Sequence, residues 1–265
     1  MEETPLKFIQ ISDIHLLKDN KSALLGVTTF DSFQAILKEV KKNLKGTDFF
    51  ILSGDLSQDA SIESYQKVAE GISQFKLPAY YVLGNHDDFH VISQVYPLDY
   101  VSNQRVIISK QWQIILLNSQ KTGAVEGYLP DEQFEFLAQS LESYPEHHAL
   151  IVFHHHPIPI HCGWLDPLGL TNADELWEFL KHYPQVRAVL FGHIHQEHEG
   201  RKNGIYYASP PSTCIQFKPK TKDFQLDSLP QGYRWVELYP NGQFKTGIHR
   251  LAHYVGNFDP TAKGY

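Results

Sequence analysis

Five short clusters of polar side chains along this chain of 265 residues could bind metal ions. They consist of aspartate, asparagine and histidine, several of them beside glycine or proline. The clusters are Asp13-Ile14-His15, Gly54-Asp55, Gly84-Asn85-His86-Asp87, His154-His155-His156-Pro157 and Gly192-His193-Ile194-His195. Two aspartates, one asparagine and at least four histidines are more donors than a single tetrahedral zinc ion takes. The set therefore predicts a site for two divalent ions that share a bridging ligand.

A bridged pair of ions is suited to phosphoester hydrolysis. Two ions about 3.5–4 Å apart activate a water molecule as a hydroxide nucleophile and clamp a phosphoryl oxygen. The five clusters contain no cysteine, which excludes a structural zinc site of the thiolate kind. Imidazole and carboxylate ligands favour iron, manganese or zinc without selecting one of them.

The apolar pattern predicts that a buried strand precedes each of these clusters. The predicted strands cover residues 7–12, 48–53, 79–83, 149–153 and 187–191. Amphipathic helices are predicted around 30–44 and 65–75, from Pro130 onward, and after a cap near Thr171 or Asn172. Ligands of open α/β sheets bind beyond the carboxyl ends of the strands, so all five clusters should meet at one edge.

The order of these elements predicts an α/β fold. The chain begins with a β-α-β-α-β alternation, which implies a parallel sheet. Residues 105–109 and 111–118 should form a hairpin, and further strands are expected at 205–209, 234–239 and 244–250. We expect a four-layer α/β/β/α sandwich, in which two mixed sheets are flanked by helices. A single domain over residues 1–254 would be followed by a surface tail at 255–265.

The clusters resemble the five motifs of the calcineurin-like metallophosphoesterases, which are D-x-H, G-D, G-N-H-D/E, H-x-P and G-H-x-H. All five occur here in the same order. Later stretches are similar to the bacterial class III 3′,5′-cyclic AMP phosphodiesterases. Besides the histidine run 154–157, they are Cys162-Gly163-Trp164-Leu165-Asp166, Gly192-His193-Ile194-His195-Gln196-Glu197 and Pro211-Ser212-Thr213-Cys214-Ile215-Gln216-Phe217-Lys218-Pro219.

This resemblance implies specific roles for the residues of the motifs. One ion would be held by Asp13, His15, Asp55 and His195. The other would be held by Asp55, Asn85, His155 and His193, so that Asp55 is the bridge. His155 is chosen because the family's ligand stands two residues before the proline, here Pro157.

The resemblance also implies a reaction, in which a metal-bridging hydroxide hydrolyses 3′,5′-cyclic AMP to 5′-AMP and so lowers intracellular cyclic AMP. His86 would be the general acid for the 3′ oxygen, with Asp87 as a possible orienting partner. The side chains expected to contact the substrate are His15, Asp55, Asn85, His86, His155 and His195.

Several assignments stay open at this point. His86 could instead be a hydrogen-bonding neighbour of the ligands. Of His154 and His156, one is expected to pack under the sheet and the other to line the site. Trp164 could stack on an adenine ring or belong to a small local core. The same scaffold could also serve glycerophosphodiesters, 2′,3′-cyclic nucleotides or nucleotide sugars, or a non-catalytic interaction module. The oligomeric state is not predicted.

Composition restricts the partners. The chain is 42% hydrophobic and 20% charged, as in soluble globular proteins. A net charge of −7 argues against general nucleic-acid binding. No apolar stretch is long enough for a membrane span, and the polar residues 1–4 lack a signal-peptide core. With only two cysteines, which we expect to be reduced, the expected location is the cytoplasm. The resemblance to the cyclic AMP phosphodiesterases implies that the partner is a small cyclic nucleotide.

Overall fold

Two six-stranded sheets and five α-helices organise the computed structural model, which describes residues 4–264. Residues 1–3, which entered the expectation about targeting, and Tyr265, the end of the predicted tail, lie outside the described residues. The helices are α1 (Thr29–Asn43), α2 (Ile62–Ser73), α3 (Phe89–Val95), α4 (Asp131–Ser143) and α5 (Ala173–Leu180). The strands are β1 (Leu6–Ile11), β2 (Ala23–Leu24), β3 (Val27–Thr28), β4 (Phe49–Ser53), β5 (Ala79–Val82), β6 (Val101–Ser102), β7 (Val106–Ser109), β8 (Trp112–Leu116), β9 (His148–Val152), β10 (Val186–Leu190), β11 (His198–Lys202), β12 (Ile205–Ser209), β13 (Gln216–Phe217), β14 (Leu226–Asp227), β15 (Gly232–Leu238) and β16 (Phe244–Arg250).

Both large sheets are mixed, as predicted. The first has the order β16-β15-β1-β4-β5-β6, in which the last four strands are parallel. The second has the order β11-β12-β10-β9-β8-β7, with antiparallel strands at its two edges. Every residue of the central strand β4 is buried, as expected for a parallel strand covered on both faces.

Three apolar cores separate four layers. Side chains such as Phe8, Trp112 and Leu150 fill the space between the two sheets. The outer face of the first sheet is covered by α1 and α2, whose Phe33 and Tyr65 are fully buried. On the second sheet, α4 and α5 bury Leu137 and Trp177. This arrangement confirms the predicted α/β/β/α sandwich.

The predicted hairpin is the antiparallel pair β7-β8, and Pro130 precedes α4. Helix α3 was not predicted, because seven residues are too few to show a helical period. Its N-cap is Asp88, whose carboxylate accepts hydrogen bonds from the backbone N–H groups of His90 and Val91. No helix within residues 4–264 is long and apolar enough to cross a membrane.

The described part of the tail, residues 255–264, runs along the surface and is anchored at several points. The backbone N–H of Val255 donates to the Gln231 side chain over 3.0 Å. Phe258 packs against the core beneath the second sheet, and the N–H of Asp259 donates to the carbonyl of Leu25 over 2.9 Å. The tail therefore lies against the short β2-β3 hairpin.

Candidate metal centre

The loops that follow β1, β4, β5, β9 and β10 meet at one edge of the sandwich. The backbone N–H of Asp13 donates to Gly54 O over 3.1 Å, and that of His15 donates to Asp55 O over 2.9 Å. Across the two sheets, the N–H of His193 donates to Asp13 Oδ1 over 3.0 Å. The other two loops contact Asp55, through the N–H of His86 and through the His154 ring. The five sequence clusters thus meet, as the strand pattern predicted.

Five of the predicted ligands have a left-handed backbone conformation. The φ angles of Asp13, His15, Asp55, His193 and His195 lie between +49° and +70°. Such angles are uncommon for residues other than glycine and concentrate at functional sites. They turn the chain sharply after β1, β4 and β10.

A first cluster consists of Asp13, His15, Asp55 and His195, whose ligand atoms all lie within 4.8 Å of one another. His15 Nε2 is 3.1 Å from His195 Nε2 and 3.7 Å from Asp55 Oδ2. Asp13 Oδ1 is 3.4 Å from His195 Nε2. The four side chains are almost fully buried, so this is a compact set of two carboxylates and two imidazoles.

Hydrogen bonds from the Nδ1 atoms orient the imidazoles of this cluster. His195 Nδ1 lies 2.9 Å from the carbonyl oxygen of Ile215, and His15 Nδ1 lies 2.7 Å from Gln58 Oε1. With Nδ1–H donated to these acceptors, each ring presents Nε2 to the centre, which is how histidine is commonly held in metal sites.

A second cluster contains His154, His155 and His193, again with ligand atoms within 4.8 Å of one another. Asn85 adjoins it, because its Oδ1 is 3.0 Å from His193 Nδ1. Asp55 lies between the two clusters and contacts His15 in the first and His154 in the second. One carboxylate therefore joins the two clusters.

His154 is the imidazole of the histidine run that contacts Asp55. Its Nε2 is 3.2 Å from Asp55 Oδ2, while its Nδ1 lies 2.8 Å from the carbonyl of Ser53. His155 instead has Ser119 Oγ 2.8 Å from Nδ1 and the carbonyl of Val125 3.1 Å from Nε2. Sequence analysis left His154 open, and the structure brings it to the centre beside the predicted His155.

Burial and mutual contact set the protonation states of the cluster. Burial lowers the pKa of His15 to about 3. Burial alone would raise the pKa of Asp55, but the adjacent His154 outweighs it and holds that pKa well below the ordinary value. Burial opposes the charge on His154 too, yet Asp55 raises the pKa of His154 to about 9. A cation at this position would replace the His154 proton.

Asp13 Oδ2 and His193 Nε2 are buried and have no hydrogen-bond partner within residues 4–264. Asp55 Oδ2 and His154 Nε2 lie 3.2 Å apart and have no other hydrogen-bond partner there. Burying polar atoms without a partner is costly, so native proteins rarely leave them unmatched. Carboxylate oxygens and imidazole nitrogens are donors that divalent cations of the iron, manganese and zinc type accept. The residues present therefore fit a pair of such ions.

His86 lies at the opening of the centre. It is half-buried, and its ring packs edge-to-face on His15 with centroids 5.0 Å apart. Its backbone N–H donates to Asp55 Oδ1 over 2.9 Å. The Asp87 carboxylate accepts backbone N–H bonds from Leu56, Ser57 and Gly84, and so ties the loops after β4 and β5 together.

Sequence analysis missed the polar residues that support the centre from the loop after β8. Ser119 Oγ accepts the backbone N–H groups of His154 and His155, each over 3.3 Å. Gln120 Nε2 donates to the carbonyl of Gly84 over 2.8 Å. A signal was available, since β8 is parallel to β9 and its carboxyl end must reach the same edge.

The family profile described as calcineurin-like phosphoesterase matches residues 6–197. The chain is 41% identical to the "3′,5′-cyclic adenosine monophosphate phosphodiesterase CpdA" of Escherichia coli (strain K12), over 99% of this chain and 96% of that protein. It is 37% identical to the protein of the same name from Pseudomonas aeruginosa, over 97% and 94%.

The fold of the chain is also similar to solved structures of proteins with low sequence identity. A dimetal phosphatase from Danio rerio superimposes with a TM-score of 0.67 at 13% identity, over 92% of this chain and 99% of that one. At this level of identity the likeness concerns the fold.

Proposed function

The chain belongs to the calcineurin-like phosphoesterase family, and from this we propose that it hydrolyses 3′,5′-cyclic AMP to 5′-AMP. The observation that carries the proposal is the pair of ligand clusters sharing Asp55 at the carboxyl edge of both sheets. Relatives named as cyclic AMP phosphodiesterases match almost the whole chain at 37–41% identity, which supports the choice of substrate.

We place one ion on Asp13, His15, Asp55 and His195, and the other on Asp55, Asn85, His155 and His193. His154 joins this second set because its Nε2 adjoins the bridging carboxylate. Divalent ions bound there supply Lewis acidity for the phosphoryl oxygens and an activated water as the nucleophile. Iron, manganese and zinc all match these donors.

His86 is the proposed general acid. The 3′ alkoxide is a poor leaving group and needs a proton as the P–O bond breaks. His86 directly follows the proposed ligand Asn85 in the chain. It lines the pocket beside the centre through which a substrate would enter. A ring nitrogen of His86 would give its proton to the 3′ oxygen.

The remaining ligands position the substrate. The proposed contacts to the phosphodiester come from His15, Asp55, Asn85, His86, His155 and His195. Burial of these side chains, apart from Asn85 and His86, leaves the phosphate one open approach. A net charge of −7 favours a small-molecule substrate over nucleic acid. A cytoplasmic location is part of the proposal and agrees with two buried, free cysteines.

The test is a comparison of substrates with metal-free protein reloaded with Mn(II) or Fe(II). The substrates are 3′,5′-cyclic AMP, 2′,3′-cyclic AMP, a glycerophosphodiester and a nucleotide sugar, with products separated by chromatography. We expect 5′-AMP from the first to form faster than any other product. Faster turnover of another diester would agree with phosphoesterase activity but would contradict cyclic AMP as the preferred substrate. No turnover with metal bound would favour a non-catalytic module.

A further inference from the structure

A pocket of about 780 Å³ opens beside the metal centre, and the tail of the chain forms part of its wall. His86, the proposed general acid, and His193, a proposed ligand, line this pocket. Lys263 and Gly264, both in the tail, line it as well. The other lining residues within the described part of the chain come from positions 125–224. The tail therefore reaches the site from a distant part of the sequence.

Two sets of contacts hold the tail on the surface. At its start, both ends of the Gln231 side-chain amide bond to Val255, since Nε2 donates to the carbonyl and Oε1 accepts the N–H, each over 3.0 Å. Further along, the N–H of Asp259 donates to the carbonyl of Leu25 over 2.9 Å, and Phe258 packs against the core beneath the second sheet. None of these five residues lines the pocket or belongs to the ligand clusters.

Close packing and a turn direct the tail to the pocket. Its backbone passes so near Gly26 that a Cβ added there would collide with the carbonyl oxygen of Asn257. Asp259 Oδ1 then accepts the N–H and the hydroxyl of Thr261, over 2.8 and 2.6 Å. The N–H of Ala262 donates to the carbonyl of Asp259 over 3.2 Å. These bonds close a turn, after which the chain reaches the pocket.

Cyclic and linear phosphodiesters differ in the space that they need around phosphorus. In a 3′,5′-cyclic nucleotide both ester oxygens belong to one ribose, so the organic part lies on one side of the phosphate. A linear diester carries two separate groups that diverge from phosphorus, and each needs an open direction of its own. Most ligand side chains of the centre are buried, so a phosphate must approach from the side on which the pocket lies. The tail takes up space on that side.

We propose that the tail restricts access to the metal centre, so that compact cyclic diesters are accepted and bulky linear diesters are excluded. This inference rests on the proposed function, because it concerns the selectivity of the same site. Lys263 and Gly264 stand where the second ester group of a linear substrate has to pass. The anchors of the tail lie away from the reacting groups. Their release should therefore widen the range of substrates without removing a metal ligand.

Two variants release the tail without changing the lining of the pocket. Phe258→Ala removes the side chain that packs on the core, and Gly26→Ala places a methyl group against Asn257. Each variant has a matched control. Tyr100→Ala removes an exposed aromatic side chain outside the pocket. Gly204→Ala imposes a similar backbone strain, with φ of +83° against +89° at Gly26, but its Cβ meets no atom within 4 Å among residues 4–264.

Kinetics are compared on cyclic AMP and on the methyl and thymidine 5′ esters of p-nitrophenyl phosphate. The two esters share a leaving group and differ in the size of the second ester group. We expect both tail variants to raise kcat/KM for the thymidine ester by roughly tenfold, and to change it by less than about twofold for cyclic AMP and the methyl ester. Unchanged turnover of the methyl ester also shows that a variant is folded. Both controls should match the wild-type protein.

Equal changes on all three substrates, or none on any of them, would overturn the proposal. If Gly26→Ala does not fold, Phe258→Ala decides the outcome. A binding measurement separates failure of this inference from failure of the proposed function: equilibrium dialysis of Mn(II)-loaded wild-type protein and Phe258→Ala against labelled thymidylyl-thymidine and against inorganic phosphate. Tighter binding of the dinucleotide by the variant, with phosphate binding unchanged, supports the restriction even if cyclic AMP is not hydrolysed. Equal binding of the dinucleotide by the two proteins contradicts it.

Discussion

Asp55 is the side chain on which the centre depends most, because it contacts both ligand clusters. It lies 3.7 Å from His15 Nε2 and 3.2 Å from His154 Nε2, and it also accepts the backbone N–H of His86. His86 is half-buried, whereas the other imidazoles of the site are buried. Loss of a bridging ligand and loss of a proton donor should therefore have different consequences.

We expect Asp55→Ala to abolish metal binding and turnover together, since it removes a ligand from both ions. His86→Ala should retain its metal and lose rate by about 10²- to 10⁴-fold, as for the loss of a general acid. Metal analysis and steady-state kinetics on the two variants check this. Equal loss of metal from both would remove His86 from its assigned role.

The histidine run offers a second comparison of single residues. His154 Nε2 adjoins the Asp55 carboxylate, whereas both ring nitrogens of His155 have hydrogen-bonding partners on other loops. We expect His154→Asn to lower the occupancy of the second ion at least as far as His155→Asn does. Metal content per chain after dialysis gives the answer, and full occupancy in His154→Asn would contradict its place among the ligands.

At the level of structural elements, the loops that follow the strands set the geometry of the metal centre. Gly54 precedes the bridging aspartate with φ of +93°, and a Cβ added there would collide with the His154 imidazole and with the backbone of Gly84. Gly204 has a similar φ of +83° in the turn between β11 and β12, but a Cβ added there meets no atom within 4 Å. Alanine at either position would strain the backbone, but only alanine at position 54 would also crowd the metal centre. Comparing the two substitutions therefore distinguishes the two effects.

Gly54→Ala should therefore displace His154 and reduce metal occupancy. Gly204→Ala should carry only the backbone strain of a non-glycine residue with positive φ, about 1–3 kcal/mol of stability, and keep its metal. Thermal unfolding and metal content measured in parallel test the pair. If Gly54→Ala bound metal as well as Gly204→Ala, close packing of this loop would not be needed for the site.

The sequence predicts those features of the loops that follow from local residue patterns. It does not predict the features that depend on contacts between residues far apart in the chain. Continuous apolar runs such as 149–153 identify buried strands, and the residues that follow them were correctly expected at one edge. The position of His154 depends on contacts from Ser53 and Asp55, about a hundred residues away in the chain. The spacing of residues within a motif gives no information about such long-range contacts.

The support from Ser119 and the anchoring of the tail were not predicted for the same reason. For Trp164, sequence analysis left a choice between base stacking and a local core. In the structure Trp164 packs on the core, and it also lines the pocket of about 780 Å³ that His86 and His193 border. Stacking on a base stays a prediction.

At the level of the whole molecule, the two sheets meet at the metal centre, so bound ions should stabilise the folded chain. Asp13 Oδ2 is buried without a hydrogen-bond partner within the part of the chain described, and Asp55 Oδ2 is buried against His154 Nε2. Ions present at a hundred times their dissociation constant contribute about 2.7 kcal/mol per site. Every 1 kcal/mol shifts Tm by about 2–4 °C in a chain of this size class.

With two sites, chelation should accordingly lower Tm by roughly 10–20 °C, and reloading with Mn(II) should restore it. Differential scanning calorimetry with and without chelator measures the shift. Asp55→Ala serves as the control, since its Tm should not respond to the chelator. A chelator response of the same size in Asp55→Ala would mean that the stabilising ions bind elsewhere.

The most direct test of the account is a titration of metal-free protein with Mn(II) or Fe(II), with 5′-AMP formation from 3′,5′-cyclic AMP measured at each step. We predict a rate that rises with added metal and saturates at two ions per chain, with 5′-AMP as the sole nucleotide product. A rate independent of metal, saturation at one ion, or formation of 3′-AMP would contradict a binuclear centre that releases the 3′ oxygen.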